Sequence, residues 1–249
     1  MFAARGGFYS QPTGGDWGNN LLFPATAGQF ISKAGTTDLV TWKATTGYTI
    51  EYWGYWTAFS SSINGGPGNQ DGSATNYWSL GPVVSGRLEF YYWSPGATYV
   101  NTAVGAISLN TWTNIAAVFT TTGTTTTISL YVNGVRQDTQ LNYAGGFSST
   151  QVVTNGAVNA GTVFGMGRYG GNYITGYVNS LRASNINRYS GASYSLGTGP
   201  FTSDSNTQLL ITPTDTAGTT ISYQSTAGNG TMTNASNLVT VTTTRANHT

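Results

Sequence analysis

The sequence predicts an all-β fold built as an antiparallel two-sheet sandwich. Three observations predict it. The first is composition: Thr is about one residue in six, with 16 Tyr and 7 Trp, residue types that suit a pleated, half-buried surface. Glu, Lys, Arg and Met, the good helix formers, are scarce. The second is a series of short segments with a period of two, separated by Gly, Asn, Ser and Pro. The third is the absence of a fixed-period repeat, which argues against a propeller or solenoid. At 249 residues the chain suits one large sandwich, able to fold without disulfides or metals.

In chain order, Met1–Asn19 is Gly-rich and reads as an arm. Strands follow at Asn20–Phe23 and Gln29–Lys33. Gly47–Thr57 (GYTIEYWGYWT) puts Ile50, Tyr52 and Trp56 on one face and Glu51, Trp53 and Tyr55 on the other. Both faces are aromatic, which places this strand centrally. Ser60–Thr75 reads as a long loop, a length that often carries function. Strands resume at Asn76–Gly81, Gly86–Ser94 and Thr111–Thr121. Thr125–Asn133 alternates cleanly into Asn133-Gly134, the favoured two-residue hairpin turn, and Val135–Thr139 returns. Later strands are Thr162–Tyr169, Tyr173–Ser184, Thr207–Thr212, Thr219–Gln224 and Asn237–Thr243. Residues 213–249 are rich in Thr, Ser, Asn and Gly. Such a C-terminal β/coil extension would fray alone, so it is expected to lie on its own domain or on a neighbouring subunit.

Four segments carry a resemblance. YTIEYWGYW (Tyr48–Trp56) resembles the first core strand of laminin-G-like, concanavalin A-like jelly rolls. SLNTWTNIAAVF (Ser108–Phe119) resembles the strand that follows, with Asn114 where His is commoner. ISLYVNGV (Ile128–Val135) resembles that family's L-Y-V-N-G hairpin. FGMGRYGGNYITGYVNSLRASNINRYSG (Phe164–Gly191) resembles its closing segment, with Asn179 where Asp is common. The resemblance spans residues 20–212. It implies a jelly roll of the kind found in structural proteins of tailed phages, in glycan-binding modules and in some glycosidases.

Charged residues are only 7% of the chain and net charge is +1. The nine Lys and Arg are scattered, so no nucleic-acid footprint exists. No apolar run approaches the roughly 18 residues that span a membrane. There is no Cys, which removes thiolate chemistry. Met1–Gly15 holds no apolar core of a signal peptide. A virion protein made in the host cytoplasm fits these facts.

Candidate chemistry is thin. A glycosidase needs two carboxylates about 5 to 9.5 Å apart, and the only Glu residues are Glu51 and Glu89, which could face each other only from adjacent strands. The E-x-D-x-x-E cluster of related glucanases is missing. The single His is His248. Gly165–Gly170 matches G-x-G-x-x-G, yet a strand and not a helix is expected after it. Asp71, beside Asn64, Asn69 and Asn76 in the long loop, is a weak candidate for calcium. Asn229, Asn234 and Asn247 begin N-x-[ST] sequons. Trp53, Trp78, Trp93, Tyr99, Tyr169 and Tyr173 are candidates to stack a sugar, although core and subunit contacts use the same residue types.

The expectation is a non-enzymatic virion structural protein, a capsid decoration or tail-associated component. Its partners would be other virion subunits, further copies of itself and cell-surface polysaccharide. The arm and the C-terminal extension would reach neighbouring subunits. The alternative is a glycan-binding adhesin.

Overall fold

The computed structural model describes residues 17–26, 29–33, 46–59, 66–69, 77–93, 97–123, 125–137, 150–151, 164–169, 172–213, 220–226, 229–235 and 239–242. Two antiparallel sheets face each other across one core. The first runs β10 (Val135–Arg136), β9 (Thr125–Val132), β8 (Trp112–Thr122), β3 (Gly47–Ala58), β15 (Thr175–Ser184), β1 (Asn20–Pro24), β19 (Thr240–Thr242). A strand β11 (Thr150–Gln151) also pairs with β9, and β16 (Thr207–Ile211) with β15. The second runs β17 (Thr220–Tyr223), β18 (Gly230–Ala235), β2 (Phe30–Lys33), β12 (Phe164–Met166), β4 (Gly68–Asn69), β5 (Tyr77–Val83), β6 (Arg87–Trp93), β7 (Ala97–Asn101). A small hairpin joins β13 (Arg168–Tyr169) to β14 (Asn172–Tyr173).

Alternation decides what lies between the sheets. Ile50, Tyr52 and Trp56 of β3 and Ile115, Ala117 and Phe119 of β8 meet Leu88, Phe90 and Tyr92 of β6 in one buried cluster. Phe90 and Phe119 meet edge to face at 5.0 Å across the gap, and the Tyr52 hydroxyl donates to the Leu80 carbonyl. As its two aromatic faces require, β3 is central, flanked by β8 and β15. The Asn133-Gly134 turn forms as read, with φ of 50° and 75°, both positive as a type I′ turn demands. Gly134 is needed for space too: a Cβ there would stand 2.4 Å from the Tyr194 carbonyl oxygen.

Of the two places open to the C-terminal extension, its described residues take the one on their own domain: β18 pairs with β2, β19 pairs with β1, and Ile221, Met232 and Val239 join the main core. Its described residues dock within the chain, because β1 and β2 each leave an edge that would otherwise be unpaired. Likewise Trp17, at the end of the expected arm, is buried against Trp53 at 5.0 Å. The glycines at 165 and 167 lie in and beside β12, whose chain continues into the β13–β14 hairpin and not a helix, so no dinucleotide cradle forms.

β15 carries a bulge. Val178 pairs with Gly54 and Leu181 with Tyr52, leaving Asn179 and Ser180 opposite one residue. The extra residue turns Asn179 toward the N-terminal segment. Its Nδ2 donates to the Trp17 carbonyl at 2.7 Å, the Asn19 carbonyl at 3.1 Å and Asn20 Oδ1 at 3.0 Å. An Asp has no donor for these three oxygens, which accounts for the amide at this position.

Candidate functional site

The outer face of the first sheet holds the densest chemistry among the described residues. β3 contributes Glu51, Trp53 and Tyr55, and β15 contributes Arg182. β8 adds Asn114, Ala116 and Val118, and β9 adds Tyr131. Residues 185–206, which link β15 to β16, lie over this face without regular structure. Such a crossing needs its polar groups satisfied, and the sequence supplies the partners. Arg188 reaches Asp204 with two bonds of 2.9 and 2.7 Å, which holds the Asp204 carboxyl below the ordinary carboxylate range. Thr49 accepts from the Arg188 backbone N–H at 3.0 Å and donates to the Ile186 carbonyl at 2.7 Å. The Tyr189 and Tyr194 rings stack at 3.6 Å, and Tyr194 lies 5.4 Å from Tyr131.

Glu51 is fully buried beneath this segment. Both Nε and Nη2 of Arg182 lie 2.8 Å from its Oε1, and Arg188 Nε lies 3.7 Å away. The Tyr189 hydroxyl donates to Oε2. Burial pushes the Glu51 carboxyl up, and Arg182, Tyr189 and Arg188 pull it back. Arg182 is itself fully engaged: Nη1 donates to the Thr202 carbonyl at 2.8 Å, and the guanidinium lies 4.9 Å from the Phe201 ring centre.

Beside this pair lies a cleft of about 180 Å³. Trp53 and Asn114 lie deepest, Tyr189, Tyr194, Leu196 and Phe201 form walls, and Gly197, Gly199, Pro200 and Thr202 form the rim. The Tyr194 hydroxyl donates to Asn114 Oδ1.

Glu89 stands on the other side of the molecule. It is on β6, whose Leu88 and Phe90 face the core, so its carboxyl points outward from the second sheet. The two glutamates therefore lie on opposite outer faces, not on adjacent strands. At least the roughly 10 Å spacing of packed sheets separates them. The adjacent-strand arrangement weighed from the sequence is overturned, and the pair has no glycosidase geometry. Burial pushes the Glu89 carboxyl up to about 7, against the opposing effects of Arg87 and Asn101.

The six aromatic candidates do not share a platform. Trp53 lines the cleft. Trp78 is corrected: it has the parity of Leu80, lies between the sheets 6.0 Å from Phe90, and is buried to 1%, so no sugar reaches it. Tyr99 is half-buried on the outer face of the second sheet, 4.8 Å from Tyr91. Tyr173 is half-buried in the β13–β14 hairpin. Trp93 and Tyr169 are placed by backbone only, in β6 and β13. Asp71, Asn64, Asn76, His248 and Asn247 lie outside the described residues. No group of three or more His, Cys, Asp or Glu side chains is gathered among the described residues, and no helix among them is long and apolar enough to cross a membrane. The Asn234 sequon is buried. Its Nδ2 donates to the Val239 carbonyl at 2.6 Å, and its Oδ1 accepts from the Val239 N–H at 3.2 Å, so a glycan there is incompatible with the fold. Arg182, Tyr189 and Tyr194 were not singled out from the sequence. The signal was thin: an Arg inside a strand and two Tyr in a Gly- and Ser-rich stretch.

A family model described as the Concanavalin A-like lectin/glucanases superfamily, Laminin_G_3, matches residues 31–190. Among solved structures, the chain is similar to a native heptameric SAP-like pentraxin from Limulus polyphemus. Identity is 13% and the TM-score 0.46, covering 73% of this chain and 79% of that one. No curated protein matches the chain.

Proposed function

Because the chain belongs to the Concanavalin A-like lectin/glucanases superfamily, we propose that it is a non-enzymatic module that binds carbohydrate. One observation carries the choice of binding over hydrolysis. The only two glutamates occupy opposite outer faces, and one of them is locked to Arg182 and Tyr189. Hydrolysis asks for an acid and a second carboxylate around one bond, whereas carbohydrate binding asks for aromatic and amide groups at one place, as Trp53, Asn114, Tyr189 and Tyr194 are in the cleft.

The test is a glycan array run beside a reducing-end assay on a polysaccharide panel. Binding without release of new ends is expected. Turnover abolished in Glu51→Gln overturns the non-enzymatic part, and binding to no glycan overturns the carbohydrate part.

A second reading builds on the first: the module is a virion accessory, a capsid decoration or tail-associated subunit that packs against other virion subunits or copies of itself. Its support is the sparse charge, 7% of residues, which leaves a surface that repels its neighbours weakly. The cis-docked C-terminal strands remove the extension from that argument. Light scattering checks self-association: an oligomer is expected, and a strict monomer at high concentration removes it. Calcium at Asp71 stays part of the proposal.

A further inference from the structure

We propose that the cleft on the outer face of the first sheet is the carbohydrate site, and that it takes a single neutral pyranose. The inference rests on the carbohydrate reading above and assigns it a place. Four observations carry it.

The first is an unspent donor. Asn114 is 2% exposed. Its backbone N–H donates to Asn133 Oδ1 at 2.9 Å, and its Oδ1 accepts from the Tyr194 hydroxyl. Its Nδ2 has no partner among the described residues, yet it is not sealed off, because the residue lines the cleft. A buried amide that keeps a free N–H costs stability unless water or a ligand accepts it. A sugar hydroxyl or an acetamido carbonyl is such an acceptor.

The second is charge. The cleft touches Arg182, but that guanidinium is already bound to Glu51, the Thr202 carbonyl and the Phe201 face. No net charge is left to recruit an ion, so the ligand is neutral.

The third is the wall. Tyr189, Tyr194 and Phe201 line the cleft with aromatic carbon that the C–H groups of a sugar can touch, although Tyr189 and Tyr194 cover one face of each other and Arg182 covers one face of Phe201. Burial holds the Tyr189 and Tyr194 hydroxyls protonated as neutral partners.

The fourth is size. At about 180 Å³ the cleft is smaller than the roughly 300–1,000 Å³ of pockets for drug-sized ligands. The space suits one ring, so a longer glycan would enter by its end residue.

The rim allows a test that leaves the fold alone. A Cβ at Gly199 meets nothing within 4 Å, a Cβ at Gly197 comes no closer than 3.9 Å to the Gly199 carbonyl, and neither residue has positive φ. The paired variant Gly197→Leu, Gly199→Leu therefore adds bulk to the cleft lining at two positions where the backbone has room for a Cβ. Saturation-transfer NMR with glucose, galactose, mannose, N-acetylglucosamine and N-acetylgalactosamine measures binding, with Tyr99→Ala on the opposite face as the control. At least one sugar is expected to bind the wild type. Affinity should fall ten-fold or more in the paired variant at unchanged melting temperature, and stay unchanged in Tyr99→Ala. Binding that survives the paired variant, or is lost in Tyr99→Ala, overturns the assignment and leaves the carbohydrate reading standing. Silence of all five sugars beside a positive glycan array also overturns the single-ring site, whereas a silent array overturns the carbohydrate reading itself.

Discussion

Glu51 and Glu89 pose one problem and receive two answers. Each sits mid-strand on an outer face, and each is shielded from water. Glu51 is met by Arg182 in contact, by Arg188 nearby and by a tyrosine hydroxyl. Glu89 is met by the Asn101 amide, whose Nδ2 donates to Oε2 at 3.0 Å, and has no contact ion pair among the described residues. The first arrangement fastens a 22-residue crossing to its sheet. The second leaves a carboxyl whose proton affinity is raised into the physiological range. Burial alone does not decide what a carboxylate does; the fixed donors around it decide.

The largest break in this comparison comes at Glu51. Glu51→Ala leaves Arg182 and Arg188 facing a buried gap, and removing one partner of a buried pair costs about 3–5 kcal/mol. Urea unfolding should show that loss, and amide hydrogen exchange of residues 185–206 should report release of the crossing before the core opens. A loss within about 0.5 kcal/mol would mean the pair is solvated.

A third carboxyl on the same side of the molecule sharpens the contrast. Asn179→Asp sets a carboxylate against the Trp17 and Asn19 carbonyls and Asn20 Oδ1, with no donor to offer. A loss of about 3 kcal/mol above pH 7 is expected. The loss should shrink as the pH falls and the new group takes up a proton. Melting temperatures at pH 5 and pH 8 measure it.

Glu89 gives the smallest effect and the opposite sign. Its folded-state affinity for a proton exceeds the unfolded one. The stability it contributes is complete below pH 4.5 and is lost as the pH rises toward about 7. The decline is on the order of 3 kcal/mol at most. Glu89→Gln abolishes that decline, so the variant should be the more stable protein at pH 8 by roughly 1–3 kcal/mol. Equal pH profiles for variant and wild type would show that Glu89 is hydrated.

Much of the fold could be read in the sequence because its signals are local. The two aromatic faces of Gly47–Thr57 marked a central strand, and Asn133-Gly134 marked the β9–β10 hairpin. Residue type makes Trp78 a sugar candidate, yet its parity with Leu80 and alternation with Ser79 carry the signal of the core position it takes. Other elements hold no such signal. Gly230–Ala235 has one apolar side chain aimed inward, Met232, and is a strand because β2 and β17 offer it ladders. The cleft was hidden for the same reason. Trp53, Asn114, Arg182 and Tyr194 are separated by 60 residues or more at two of their three junctions, or meet only across a crossing with no periodicity. Nothing short of the folded sheet brings them together.

The pairing of β18 with β2 and of β19 with β1 has a consequence for how the molecule comes into being. Contacts that close both sheets join residues about 200 positions apart, so loop-closure entropy is spent late and the fold belongs to the slow, non-local kind. During synthesis the open margins of β1 and β2 wait for the ribosome to deliver their partners. Assembly of this chain is therefore a race between its own last strands and any foreign strand that reaches those margins first.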